Sequence, residues 1–153
     1  MDGLKSLFED FDMAAFLPDI TTVMGWVEAI ARIAVMAGPL LLLGFGLLFL
    51  LAPPKEANYG LGFRCWWGMA SLESWQFTQR LAGLVWSGLG VVLTIIMALI
   101  CNAFRRMEAM DMVWCALSCL GWEAGLALLS SLGINIAVIY TFDKNGFRRE
   151  RNP

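Results

Sequence analysis

Glu123 stands alone as a carboxylate inside the apolar run 112–140, eleven residues from its start. A carboxylate in hydrocarbon is costly, so it must be protonated, paired or turned toward a wet cavity. Its neighbours at helical spacing, Ala116, Cys119, Ala127 and Ser130, are small. Gly121 and Gly125 flank it as a G-x-x-x-G, a spacing that lets helices approach closely. Glu123 is therefore expected to face protein. Arg32 is its expected partner: counted from Thr22, it lies about ten residues deep, and at about 1.5 Å per residue the two depths match. Glu28, one turn before Arg32, can share the guanidinium. The set Arg32, Glu123 and Glu28 has two readings: a proton-handling or ligand-sensing site, or an ion pair that fixes helix register.

Other chemistry is sparse. The chain has no histidine. Of its four cysteines, Cys101, Cys115 and Cys119 fall in apolar runs and Cys65 in a connection. Cys115 and Cys119 are one helical turn apart, but without histidine or a carboxylate cluster they read as small apolar helix residues rather than metal ligands. No disulfide framework is visible. No nucleophile, base and metal converge, so the expectation is a protein that is not an enzyme, with no metal and no cofactor. No nucleic-acid partner is expected.

The elements that position these residues are spans of a bilayer. The chain is 153 residues long, 59% of them hydrophobic, too apolar for a typical soluble domain. The apolar residues fall in runs 31–52, 81–103 and 112–140. Each reaches the roughly 20 residues that cross a hydrocarbon core. Backbone groups in lipid must bond internally, so the runs are expected to be helices. The fold class is an all-α membrane protein with three transmembrane helices and an N-terminal amphipathic helix. That last helix is read from Leu4, Leu7, Phe8 and Phe11, which repeat at helical spacing with Lys5, Glu9 and Asp12 on other faces. No basic region precedes the first span, so it is not read as a cleaved signal peptide.

The chain divides into an acidic segment 1–19, a membrane domain 20–141 with an interfacial loop 53–80, and a basic tail 142–153. Residues 20–30 are apolar and run into the first span. A helix that includes them is longer than a bilayer and must tilt, project or bend at Pro39. Pro53 and Pro54 end it. Ser71 reads as the N-cap of the second helix, with Glu73 in the first turn. Lys5, Arg32, Arg105 and Arg106 fall on one side of the membrane, and Lys55, Arg64, Arg80, Lys144, Arg148, Arg149 and Arg151 on the other. The positive-inside rule makes the second side cytoplasmic and leaves the N-terminus outside. The basic tail would also favour anionic lipid heads.

The loop is denser than a connection needs. Gly60 and Gly62 permit backbone conformations closed to other residues. Arg64 can fork onto a carboxylate, a lipid phosphate or helix-end carbonyls. Trp66, Trp67 and Trp75 suit the headgroup zone. Together they describe a turn that docks the connection onto the membrane surface.

The same stretch resembles the SdpI-like immunity protein family of bacterial membrane proteins. That family carries an N-x-x-x-G-x-R-[TS] turn, then a Ser and a Trp, then Asn-Arg-x-[AS]-G entering the next helix. The matching residues are Asn58, Gly62, Arg64, Ser71, Trp75, Arg80, Ala82 and Gly83. The "LAPP" ending of the preceding helix fits as well, and the resemblance runs over residues 38–100. Cys65 stands where the family usually has Thr or Ser, and Gln79 where Asn or His is usual. Both changes take a small polar group from beside Arg64, so hydrogen bonding there is expected to differ from the family's.

The resemblance implies a non-enzymatic protein of the bacterial plasma membrane that gives immunity to, or senses, a membrane-active peptide toxin. The founding type also holds a transcriptional repressor at the membrane when toxin is bound. The residues it points to are Asn58, Gly62, Arg64, Ser71, Trp75 and Arg80. Expected partners are the lipid bilayer, a peptide toxin, and a second copy or another membrane protein. The alternative is a small accessory subunit of a larger membrane transport or assembly complex, joined through G-x-x-x-G faces.

Overall fold

A computed structural model describes residues 20–57 and 60–149. The amphipathic helix expected in segment 1–19, Asn58 and Arg151 lie outside the described residues. Three long helices account for most of the rest: α1 (Ile20–Leu51), α2 (Leu72–Ala103) and α3 (Ala109–Thr141). Each is apolar and long enough to cross a membrane, so the chain is a multi-pass membrane protein. At about 1.5 Å per residue, each helix approaches 50 Å, well beyond a hydrocarbon core of about 30 Å. α1 takes in the apolar residues from 20 onward and runs through Pro39 without a break.

Glycines set how α1 meets α2. A Cβ on Gly90 would stand 2.6 Å from the Leu43 nitrogen, and one on Gly83 would stand 2.9 Å from that of Leu50. One on Gly46 would collide with the backbone of Ser87. The three contacts step down α1 as they climb α2, the register of an antiparallel pair with backbones in near contact. Small residues are what such packing in lipid requires.

Gly121 and Gly125 do not serve that purpose among the described residues, none of which lies within 4 Å of a Cβ on either. They sit two residues either side of Glu123, about 200° around the helix. When Glu123 turns inward, they turn out.

Among the described residues, much of the buried apolar core gathers in two clusters. One gathers Ala31, Val35, Leu93, Met97, Phe104 and Met112 toward the end where α2 meets α3. The other gathers Phe49, Phe63, Ala82 and Ile134 toward the opposite end, beneath the loop between α1 and α2. The tail returns to that same end. Its backbone folds back after α3, with Phe142 bridged to Arg148 and Asp143 Oδ1 accepting from the amides of Asn145 and Phe147. Gly146, at φ +79°, lets the turn close against Ser71.

Candidate functional site

The loop is built on the first two turns of α2. Ser71 caps the helix as its sequence position implies: its hydroxyl accepts from the Ser74 amide at 3.1 Å, and the Ser74 hydroxyl accepts from the Ser71 amide at 3.2 Å. The same Ser71 hydroxyl donates to the Gly146 carbonyl at 2.7 Å and ties the tail to the loop. Ser74 is fully buried, and its hydroxyl reaches the Gly68 carbonyl of the short 3-10 turn Trp67–Met69.

Trp75 is not the interfacial anchor expected from its type. It is fully buried, and its ring nitrogen donates to the Pro54 carbonyl at 2.9 Å. It thereby fixes the end of α1 to the start of α2. Gly62 adopts φ +126°, a left-handed conformation that a side chain would strain. A Cβ there would also stand 2.8 Å from the Trp75 ring. The glycine turn and the tryptophan are thus one packing unit.

Sequence reasoning missed Gln79 as a structural centre. Its side-chain oxygen accepts from the Phe63 amide at 2.8 Å, and its side-chain nitrogen donates to the Phe63 carbonyl at 2.8 Å. Gln79 is fully buried. The residue that departs from the family's usual Asn or His therefore supplies hydrogen bonding of its own, one residue from Arg64. The signal was a Gln on the same face of α2 as Trp75 and Ala82, a polar group facing protein that must find partners. Cys65 packs against the same buried cluster as Phe63. Burial pushes its thiol above the ordinary value of 9.0, against smaller opposing effects from the Gly68 backbone and the Thr78 hydroxyl.

On this frame Arg64 is carried exposed, with a guanidinium nitrogen 3.3 Å from the Gly60 carbonyl. Leu61 and Trp66 are exposed on either side of it in sequence, Trp66 at 82%. A cation flanked by two apolar side chains on a fixed turn suits an amphipathic surface. Arg80, the next residue of α2 after Gln79, is exposed about 100° around the helix from it.

The intramembrane set is arranged differently from the expectation. Arg32 bonds Glu28 on its own helix, at 2.9 Å through Nε and 2.6 Å through a terminal nitrogen. It does not pair with Glu123, which is 4% exposed and whose Oε1 has no hydrogen-bond partner among the described residues. The carboxyl instead lies against Gly38, where a Cβ would run into Oε2. Gly38 is six residues past Arg32, about 9 Å along the axis. Counting depth from an assumed helix start misjudged the register between α1 and α3 by that amount. Among the described residues no three His, Cys, Asp or Glu side chains gather as metal ligands.

A three-span helical membrane protein with a glycine-and-tryptophan turn locked to its second helix is the class these features define. The chain belongs to the SdpI/YfhL protein family, whose model matches residues 54–141, more than half the sequence. The match takes in the loop and both later helices. No curated protein and no solved structure matches the chain.

Proposed function

We propose that this protein gives its cell immunity to, or senses, a membrane-active peptide, without catalysing a reaction. The observation that carries the reading is the family match over the loop, α2 and α3, on a loop held by Gln79, Trp75 and Ser71 with Arg64 at its exposed edge. Such a frame presents Arg64, Leu61 and Trp66 to a partner without an ordering cost at the moment of contact.

The location is the bacterial plasma membrane. The excess of Lys and Arg on the side of the loop and tail supports a cytoplasmic loop and tail with the N-terminus outside. An arriving cationic or amphipathic peptide would then meet the acidic N-terminal side first. The Arg64 turn would act as a docking element on the inner side, for the membrane or for a protein that reads toxin binding.

The test is protection. Wild type and Arg64→Ala, matched for level in the membrane, are expressed in a sensitive bacterium and challenged with a panel of membrane-active peptides. Survival with wild type and its loss with Arg64→Ala is the expected result. Equal survival with both takes the loop out of the function, and no protection with either removes the immunity reading.

A second reading, an accessory subunit of a membrane complex, draws on one observation. Gly121 and Gly125 leave a close-approach surface open on α3, beside the exposed Trp122. A stoichiometric membrane partner recovered with wild type and lost in Gly121→Leu would favour it.

A further inference from the structure

The folded-back tail and α2 enclose a cleft of about 380 Å³ at the loop end of the bundle. Its walls are of two kinds. Arg80 from α2 and Arg148 from the tail are exposed and carry positive charge, while Phe77, Leu81, Leu84 and Phe142 are apolar. The tail is held in place to form it: Phe142 is buried with its ring 5.4 Å from that of Phe77, edge to face, and Gly146 is bonded to Ser71. The backbone bridge between Phe142 and Arg148 sets where the second arginine stands. Among the described residues neither guanidinium is taken up in a salt bridge.

We infer that this cleft is a binding site for one anionic phospholipid, its phosphate held between Arg80 and Arg148. The position selects the ligand. Arg80 is the last charged residue before the uncharged run 81–103, so it stands where the headgroup layer meets the hydrocarbon. Leu81 and Leu84 continue from it into the span, the direction an acyl chain takes. A free phosphate would satisfy the arginines and leave the apolar wall unused. Glu73 and Gln76 also line the cleft and can accept or donate hydrogen bonds to headgroup hydroxyls. Two cations against one acid leave the charge balance in favour of an anion.

The site shares Arg80 with the residues the family resemblance points to, but its test needs no toxin and reads lipid directly. The full chain in mild detergent is titrated with phosphatidylglycerol or phosphatidylcholine, and bound lipid is counted by native mass spectrometry. The variants are Arg80→Gln/Arg148→Gln, and Arg105→Gln/Arg106→Gln, which loses the same charge at the opposite end. Both pairs of side chains are exposed, and far-UV circular dichroism with a single elution peak checks that the fold is kept. Wild type and the Arg105/Arg106 variant are expected to hold one phosphatidylglycerol in preference to phosphatidylcholine. The Arg80/Arg148 variant should bind it about twenty-five-fold more weakly, at about fivefold for each arginine. Equal loss in both variants would mean general electrostatics and overturn the site. Equal retention of the two lipids, or displacement of the lipid by millimolar inorganic phosphate, would overturn the phospholipid assignment.

Discussion

The side-chain amide of Gln79 takes both backbone groups of Phe63, one as acceptor and one as donor, each at 2.8 Å. It acts as a strand partner would, from a helix. The loop residue before Arg64 therefore needs no sheet to satisfy its amide and carbonyl. Gln79→Leu keeps the size but removes both partners, leaving two polar groups of a buried residue unpaired. The expected cost is about 2–6 kcal/mol, at about 1–3 for each buried group left unsatisfied. Thermal unfolding in detergent should show it, with faster proteolysis of the loop. An unchanged melt and an unchanged loop would mean that Phe63 finds other partners without difficulty.

The helices, the Ser71 cap and the inward face of Glu123 were legible in the sequence because each follows from a local pattern. Apolar length gives the spans, a Ser before a helix gives the cap, and small neighbours give the buried face. What could not be read depends on register between helices. The place of Glu123 against Gly38 rather than Arg32 is set by how α1 slides along α3, and no residue count from an assumed end fixes that. The role of Gln79 was hidden for a related reason. Its partner is the backbone of Phe63, which has no side-chain signature. Trp75 misled because its type suits an interface, while its neighbours Gly62 and Pro54 enclose it.

Gly38 and Glu123 form a testable pair. Gly38→Ala puts a methyl group where the Glu123 carboxyl lies, so the end of that side chain must turn aside within its buried surroundings. Overpacking of this kind costs about 1–3 kcal/mol. Glu123→Ala empties the space the methyl needs. The double variant should therefore be more stable than Gly38→Ala alone, a coupling that a double-mutant cycle measures. Additive effects in the melts would separate the two residues and refute the contact.

The glycines of α2 should divide by face. Gly90 faces the α1 backbone at Leu43, whereas no described residue lies within 4 Å of a Cβ on Gly88. Gly90→Ala is expected to push α1 and α2 apart and to destabilise by about 1–3 kcal/mol. Gly88→Ala meets open space, and its higher helix propensity should be neutral or favourable by about 0.5–1 kcal/mol. Melts of the two variants side by side decide the matter. A larger loss from Gly88→Ala would mean that the outward face of α2 is in use by something beyond this chain.

Cys65 offers a readout of the loop that needs no toxin or ligand. Burial holds its thiol above 9.0, so at neutral pH it is protonated and a weak nucleophile. Peptide-resolved alkylation should find it slow to react, with a rate that climbs only at pH values beyond those of an exposed thiol. The linkage has a definite sign. An unfolded chain loses this proton near 9.0 and the folded chain loses it higher, so between the two values the folded state holds more protons. Stability is then fully present below 9.0 and falls as pH rises through the window above it. Cys65→Ala should flatten that part of the profile. Gln79→Leu should speed the alkylation of Cys65 at neutral pH, because freeing Phe63 opens the wall next to the thiol. Fast labelling in the wild type, no faster in Gln79→Leu, would show that the turn carrying Arg64 is not held by Gln79.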